Sequence, residues 1–232
     1  MKSFKSIYML IAVFLLSELS FSHVRKIPSV HDTVDGILQR MKTELSAGEV
    51  KSLSREKVIS FLTAEEKMVL SSGFLTFEIN SNADLYLAVD PGARAPFWLT
   101  DEGFEKTELT MSGSQDGIFE IWKKSIKAGD VGLGVNSIYG GGKHYVAFVK
   151  GKVQVSDLYP GQHRTARAEN GEKLYVDRDS MIRDLPAELL GATMIKTLRD
   201  NRDAGQLLGI LLLTKHASSP APDQIVLSWE SD

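Results

Sequence analysis

From Gly73 onward the apolar residues recur at every second position, and this period limits the chain's fold more than any other feature. Leu75, Phe77 and Ile79 alternate with Thr76, Glu78 and Asn80, the pattern of a strand with one face buried. The same alternation returns in Leu85, Leu87 and Val89, in Val131, Leu133 and Val135, in Tyr145, Ala147 and Val149 set against Val146 and Phe148, and in Val153 and Val155 leading to Leu158. Turn-forming residues separate these runs: Asn82, Pro91-Gly92, Gly113, Gly129, Gly140 to Gly142 and Pro160-Gly161. Short strands punctuated in this way predict an antiparallel β-sandwich.

Ahead of the β-rich region the period is helical. Val30, Val34, Ile37, Leu38, Met41 and Leu45 share one face of a predicted helix over residues 29–46, which Ala47 and Gly48 end. Thr63 and Glu66 form a capping-box pattern ahead of Met68, Val69 and Leu70, predicting a second short helix. Residues 186–200 have no clean period and read equally as a helix or as a strand with a turn, whereas Leu207 to Leu213 reads as a central strand.

Residues 1–22 predict export. Lys2 and Lys5 precede the unbroken apolar run Ile7 to Leu16, and Ser20 and Ser22 set small side chains where a signal peptidase cleaves, giving His23 as the mature N-terminus. Ten apolar residues at about 1.5 Å each span only about half of a bilayer core, so no stable membrane anchor is expected. With no cysteine, the chain can form neither a disulfide nor a thiolate metal site, and its core must stabilise it. A hydrophobic content of 43% in about 210 mature residues suffices for one substantial domain with extensions. Loss of the leader removes two lysines and one glutamate and makes the formal charge of −3 one unit more negative, which gives no electrostatic case for nucleic acid.

No set of residues reads as a complete catalytic, cofactor-binding or metal site. His23, His31, His144, His163 and His216 lack any spacing that would put two imidazoles on one metal, and His144 reads as a polar strand-edge residue. Gly140-Gly141-Gly142-Lys143 is followed by His144 and a strand, not by the Ser or Thr and helix of a phosphate loop, so it reads as a hairpin turn between Tyr139 and Tyr145. Asp130, within Gly129-Asp130-Val131-Gly132, reads as a turn residue, because a dimetal site needs further Asp, Asn and His ligands that no motif here supplies. Ser112, Ser114 and Ser137 have no acid or histidine at a diagnostic spacing. Tyr86, Phe97, Trp98, Phe104, Phe119, Trp122, Tyr139, Tyr145 and Tyr159 read chiefly as core, with a ligand-stacking face as the alternative.

Three stretches, Ala95 to Leu109, Lys127 to Phe148 and Pro220 to Asp232, together resemble the N-terminal region of exported bacterial metallophosphoesterases of the purple acid phosphatase type. The resemblance implies a β-rich region followed by a fibronectin-III-like domain and then a dimetal phosphoesterase domain. Gln224 to Trp229 is similar to the opening strand of the fibronectin-like domain, and the family's Asp, Tyr, Asn and His metal ligands have no counterpart in this chain. The expected organisation is a signal peptide at 1–22, a helical segment at 23–72, a β-rich sandwich at 73–216, and at 217–232 a proline-containing linker with the first strand of a truncated fibronectin-III-like domain. The expected function is a non-catalytic accessory module of a secreted phosphoesterase, with the dimetal centre in the missing domain and contacts to the downstream domains. The alternative is a self-contained exported module that presents aromatics such as Trp98 and Tyr139 to a glycan or peptide.

Overall fold

The computed structural model describes residues 28–92, 95–113, 117–138, 145–156, 164–165, 167–169, 173–175, 184–196, 217–221 and 224–227. The signal-peptide segment, Gly140 to Lys143, and the expected strand at Leu207 to Leu213 lie outside the described residues. The fold is mainly β, with two antiparallel sheets packed like a sandwich and helices at the N-terminal end.

Among the described residues four helices come first: α1 (Val30–Glu44), α2 (Ala47–Lys51), α3 (Arg55–Phe61) and α4 (Ala64–Ser72). Each starts on a hydroxyl that accepts from the third helical backbone N–H: Ser29, Ser46, Ser54 and Thr63. The Thr63–Glu66 capping box forms as its spacing predicts. Ala47 and Gly48 do not end α1. Leu45 turns to extended geometry, and Ser46 with Glu49 makes a further capping box that starts α2, a signal the helical period of α1 overrides in the sequence. The inward stripe of α1, Val34, Ile37 and Met41, packs with Val58, Leu70, Val135 and Ile138, so helices and β-region share one cluster.

The larger sheet has six strands in the order β3 (Glu105–Ser112), β4 (Ile118–Ile126), β2 (Ala83–Val89), β6 (Val146–Lys150), β11 (Thr193–Lys196) and β8 (Arg164–Thr165). The smaller has β1 (Leu75–Ile79) between β5 (Gly129–Leu133) and β7 (Val155–Ser156). Between the sheets lie Phe77, Ile79, Leu85, Leu87, Leu133, Ala147 and Val149. The opposite face of the large sheet is buried as well: Tyr86, Ala88, Val146, Phe148 and Met194 pack under Leu185 and Leu189. Of the segment 186–200, open in the sequence, the described residues to 196 form a 3-10 turn at Ala187–Leu189 and, after Gly191 at φ 76°, strand β11. The charged edge strand β3 and its partner β4 add to the expected strands.

Three expectations change here. Asp130 lies within β5 opposite Glu78, because the pairing with β1 starts one residue earlier, at Gly129 opposite Ile79. The described strands on either side of residues 139–144, β5 and β6, are not hairpin partners, because β5 belongs to the small sheet and β6 to the large one. The expected linker is itself paired: β12 (Ala217–Ala221) meets β13 (Gln224–Leu227) in antiparallel register. This hairpin joins neither sheet among the described residues, and β12 runs beside α2. The short pair β9 (Arg167–Glu169) and β10 (Lys173–Tyr175) likewise forms its own ribbon.

Glycine is required where α4 meets β5. A Cβ at Gly132 would strike the Ser72 carbonyl oxygen, and one at Gly134 would lie 2.6 Å from the Leu70 carbonyl oxygen and against the Trp98 indole. This close approach lets Val135 N donate to Leu70 O at 2.8 Å and Phe74 N to Leu133 O at 3.0 Å, tying the helical layer to the sheet.

Candidate functional site

Trp98 is the anchor of the junction between helices and sheets. It is buried, donates its indole N–H to Val135 O at 2.7 Å, and meets Phe104 and Tyr145 edge-on with both centroids at 6.0 Å. Tyr145 donates its hydroxyl to Gly134 O at 2.7 Å, a tie between the loop and the sheet, and burial pushes its phenol well above the ordinary value. Tyr86, Phe104 and Phe119 are buried in the same two cores, Phe97 and Trp122 are half-buried, and Tyr139 and Tyr159 lie outside the described residues. Trp98 therefore presents no stacking face, contrary to the glycan-or-peptide alternative as the sequence framed it.

Around Trp98 the chain reverses tightly. Glu102 N donates to Trp98 O at 2.8 Å, Gly103 N to Thr100 O at 3.0 Å and Phe104 N to Leu99 O at 3.1 Å, and Gly103 takes φ 80°, which a side chain would strain. Between this turn and helices α3 and α4 opens a groove of about 570 Å³, within the usual range of ligand pockets. Ile59, Met68 and Phe97 supply apolar surface, and Met68 is 59% exposed. The helical wall carries Arg55 and Lys67, and the turn wall carries Asp101 and Glu102. Arg55 is braced by donating to Ala95 O at 2.6 Å, while Glu102 accepts from Ser71 at 3.4 Å and faces Lys124 at 3.5 Å. None of these four charged residues stands out in the sequence, because the groove unites residues some 40 positions apart. The only local signals are the caps of α3 and α4 and the turn at Gly103.

The residues considered for catalysis do not converge. Ser112 does find an acid, donating to Asp184 at 2.7 Å, because the 184–192 segment folds over the outer face of the large sheet. No histidine accompanies the pair among the described residues, so nothing there activates the hydroxyl. Of the five histidines only His31 falls in that set, beside Asp35 on α1 at 3.4 Å. Asp130 faces Glu78 across the strands without a third ligand, and no group of three His, Asp or Glu residues able to hold a metal occurs among the described residues. The residues described here thus do not fit a dimetal centre.

Asp84 and Lys123 pair at 2.9 Å across β2 and β4, with Ser125 donating to Asp84 at 2.8 Å. Partial burial pushes Asp84 up, but the hydrogen bonds from Lys123 and Ser125 outweigh it and hold the carboxyl below its ordinary value. The hydrogen bond to Asp84 raises Lys123, whose ammonium also lies 5.4 Å from the Tyr86 ring centroid. No helix among the described residues is long and apolar enough to cross a membrane. In comparisons with known proteins, no family model, no curated protein and no solved structure matches this chain.

Proposed function

We propose that this chain is a non-catalytic accessory module of an exported, metal-dependent phosphoesterase of the purple acid phosphatase type. In this reading residues 1–22 are a cleaved leader, residues 28–196 form the β-rich module, and the 217–227 hairpin begins a fibronectin-III-like domain that leads to the catalytic one. The observation that carries the reading is the hairpin. Its strand Gln224–Leu227 lies where the family resemblance sets the opening strand, and among the described residues it pairs only with Ala217–Ala221. The resemblance of residues 95–109 and 127–148 supports it further, since these stretches build the Trp98 junction and β5. A module of this kind orients or tethers the catalytic domain, and the metal ligands come from that domain.

The test is metal analysis and a chromogenic phosphomonoester assay on protein recovered from the exported fraction, with intact mass reporting the N-terminus. The expected result is a chain that starts at His23, holds no stoichiometric transition metal and turns over no phosphomonoester. One or two metals held per chain, or turnover that tracks the purified protein, would contradict the accessory role.

A further inference from the structure

We propose that the groove between α3, α4 and the turn at 95–103 binds a short peptide with free termini. Its carboxylate is held by Arg55 and Lys67, its ammonium by Asp101 and Glu102, and a hydrophobic side chain lies on Phe97 and Met68. This goes beyond the phosphoesterase reading and does not depend on it.

The charge arrangement selects the ligand. Cations sit on the helical wall and anions on the turn wall, yet no ion pair joins the two walls among the described residues. The Lys67 ammonium and the Asp101 carboxylate have no partner in that set. Arg55 uses one N–H on Ala95 O, which fixes the guanidinium at the rim and leaves other donors of its planar fork for a carboxylate. A purely anionic ligand would meet Asp101 and Glu102, and a purely cationic one Arg55 and Lys67. A ligand with both charges satisfies both walls.

The floor narrows the class. Ile59, Phe97 and the largely exposed Met68 offer apolar contact, and methionine adapts to varied side chains. A sugar has less to gain here. The Trp98 ring is buried edge-on to Phe104 and Tyr145, and its N–H is already bonded to Val135 O. A zwitterion with an apolar centre fits these walls and this floor, and a short peptide is that chemistry.

The experiment titrates the full chain with the tripeptide Ala-Phe-Ala at low salt, alongside its N-acetylated form, its C-terminal amide and a neutral oligosaccharide. The free peptide should bind, and blocking either terminus should weaken binding roughly three- to fivefold, the size of one exposed charge pair. Asp101→Asn should shrink the penalty of N-acetylation, with Glu102 still in place, while keeping that of the amide, and Lys67→Gln should shrink the penalty of the amide, with Arg55 still in place, while keeping that of N-acetylation. Both side chains lie outside the cores, so unchanged melting temperatures will show that the variants are folded. Absence of peptide binding at millimolar concentration, terminal penalties that the two variants leave untouched, or preferential binding of the oligosaccharide would overturn the proposal.

Discussion

Strands β2 and β6 and the hairpin β12–β13 are built from similarly short runs, but different things hold them. In β2 every residue from Leu85 to Val89 is buried, as is Val146 to Val149 in β6, because the intersheet core covers one face and the 184–192 segment the other. Among the described residues the β12–β13 pair has its own ladder and the neighbourhood of α2, and joins neither sheet. Alternating residues therefore report that a strand forms, but not how many of its faces are covered. A two-stranded ribbon is marginal alone, whereas a central strand buried on both faces is tied to the whole domain.

The largest effect that sharpens this contrast is expected at the doubly covered strands. Phe148→Ala opens a cavity beneath Leu185 and Leu189 and should destabilise the protein by about 3–5 kcal/mol, read by denaturant unfolding. A loss under about 1 kcal/mol would mean that the outer face of the large sheet is loosely packed. Next is the seam between helices and small sheet. Gly132→Ala drives a methyl group into the Ser72 carbonyl, so α4 must shift, at a cost of about 1–3 kcal/mol. Gly36→Ala, where nothing lies within 4 Å, is the control and should be neutral or slightly stabilising.

A smaller effect is expected at the exposed Asp84–Lys123 pair. Folding lowers the Asp84 pKa, so its contribution is present above the unfolded value near 4 and fades as pH falls through the lower folded value. The partners are 33% and 38% exposed, and solvent screening limits the pair to at most about 1 kcal/mol. Asp84→Asn should therefore lower stability slightly at pH 7, with the difference from the parent chain shrinking in acid. A difference that grows as pH falls would contradict this sign.

Much of the β-region was legible because one face of β1 is wet: Phe77 and Ile79 are buried while Thr76, Glu78 and Asn80 are exposed. The second core was not, because Tyr86, Ala88, Val146 and Phe148 occupy the positions that alternation assigns to solvent, and only the distant Leu185 and Leu189 cover them. The first helix was legible from its stripe. Helices α2 and α3 were not, at five and seven residues, because they are too short to show a period and are marked by their Ser46 and Ser54 caps. The groove was invisible for the same reason as the second core. Arg55, Lys67 and Asp101 become neighbours only after Gly132 and Gly134 have let α4 settle on the sheet.

Deletion of residues 218–232 asks whether the module of residues 28–196 stands without the C-terminal hairpin. If the hairpin belongs to a following domain, thermal unfolding of the shortened chain should shift by no more than about one or two degrees, since a shift of about 2–4 °C corresponds to 1 kcal/mol at this size. A drop of roughly 10 °C or more would mean that Ile225, Leu227 and Trp229 contribute several kcal/mol to the module itself, at about 1.5–3 for each large side chain buried. That result would make the hairpin part of a self-contained domain and remove it from any following one.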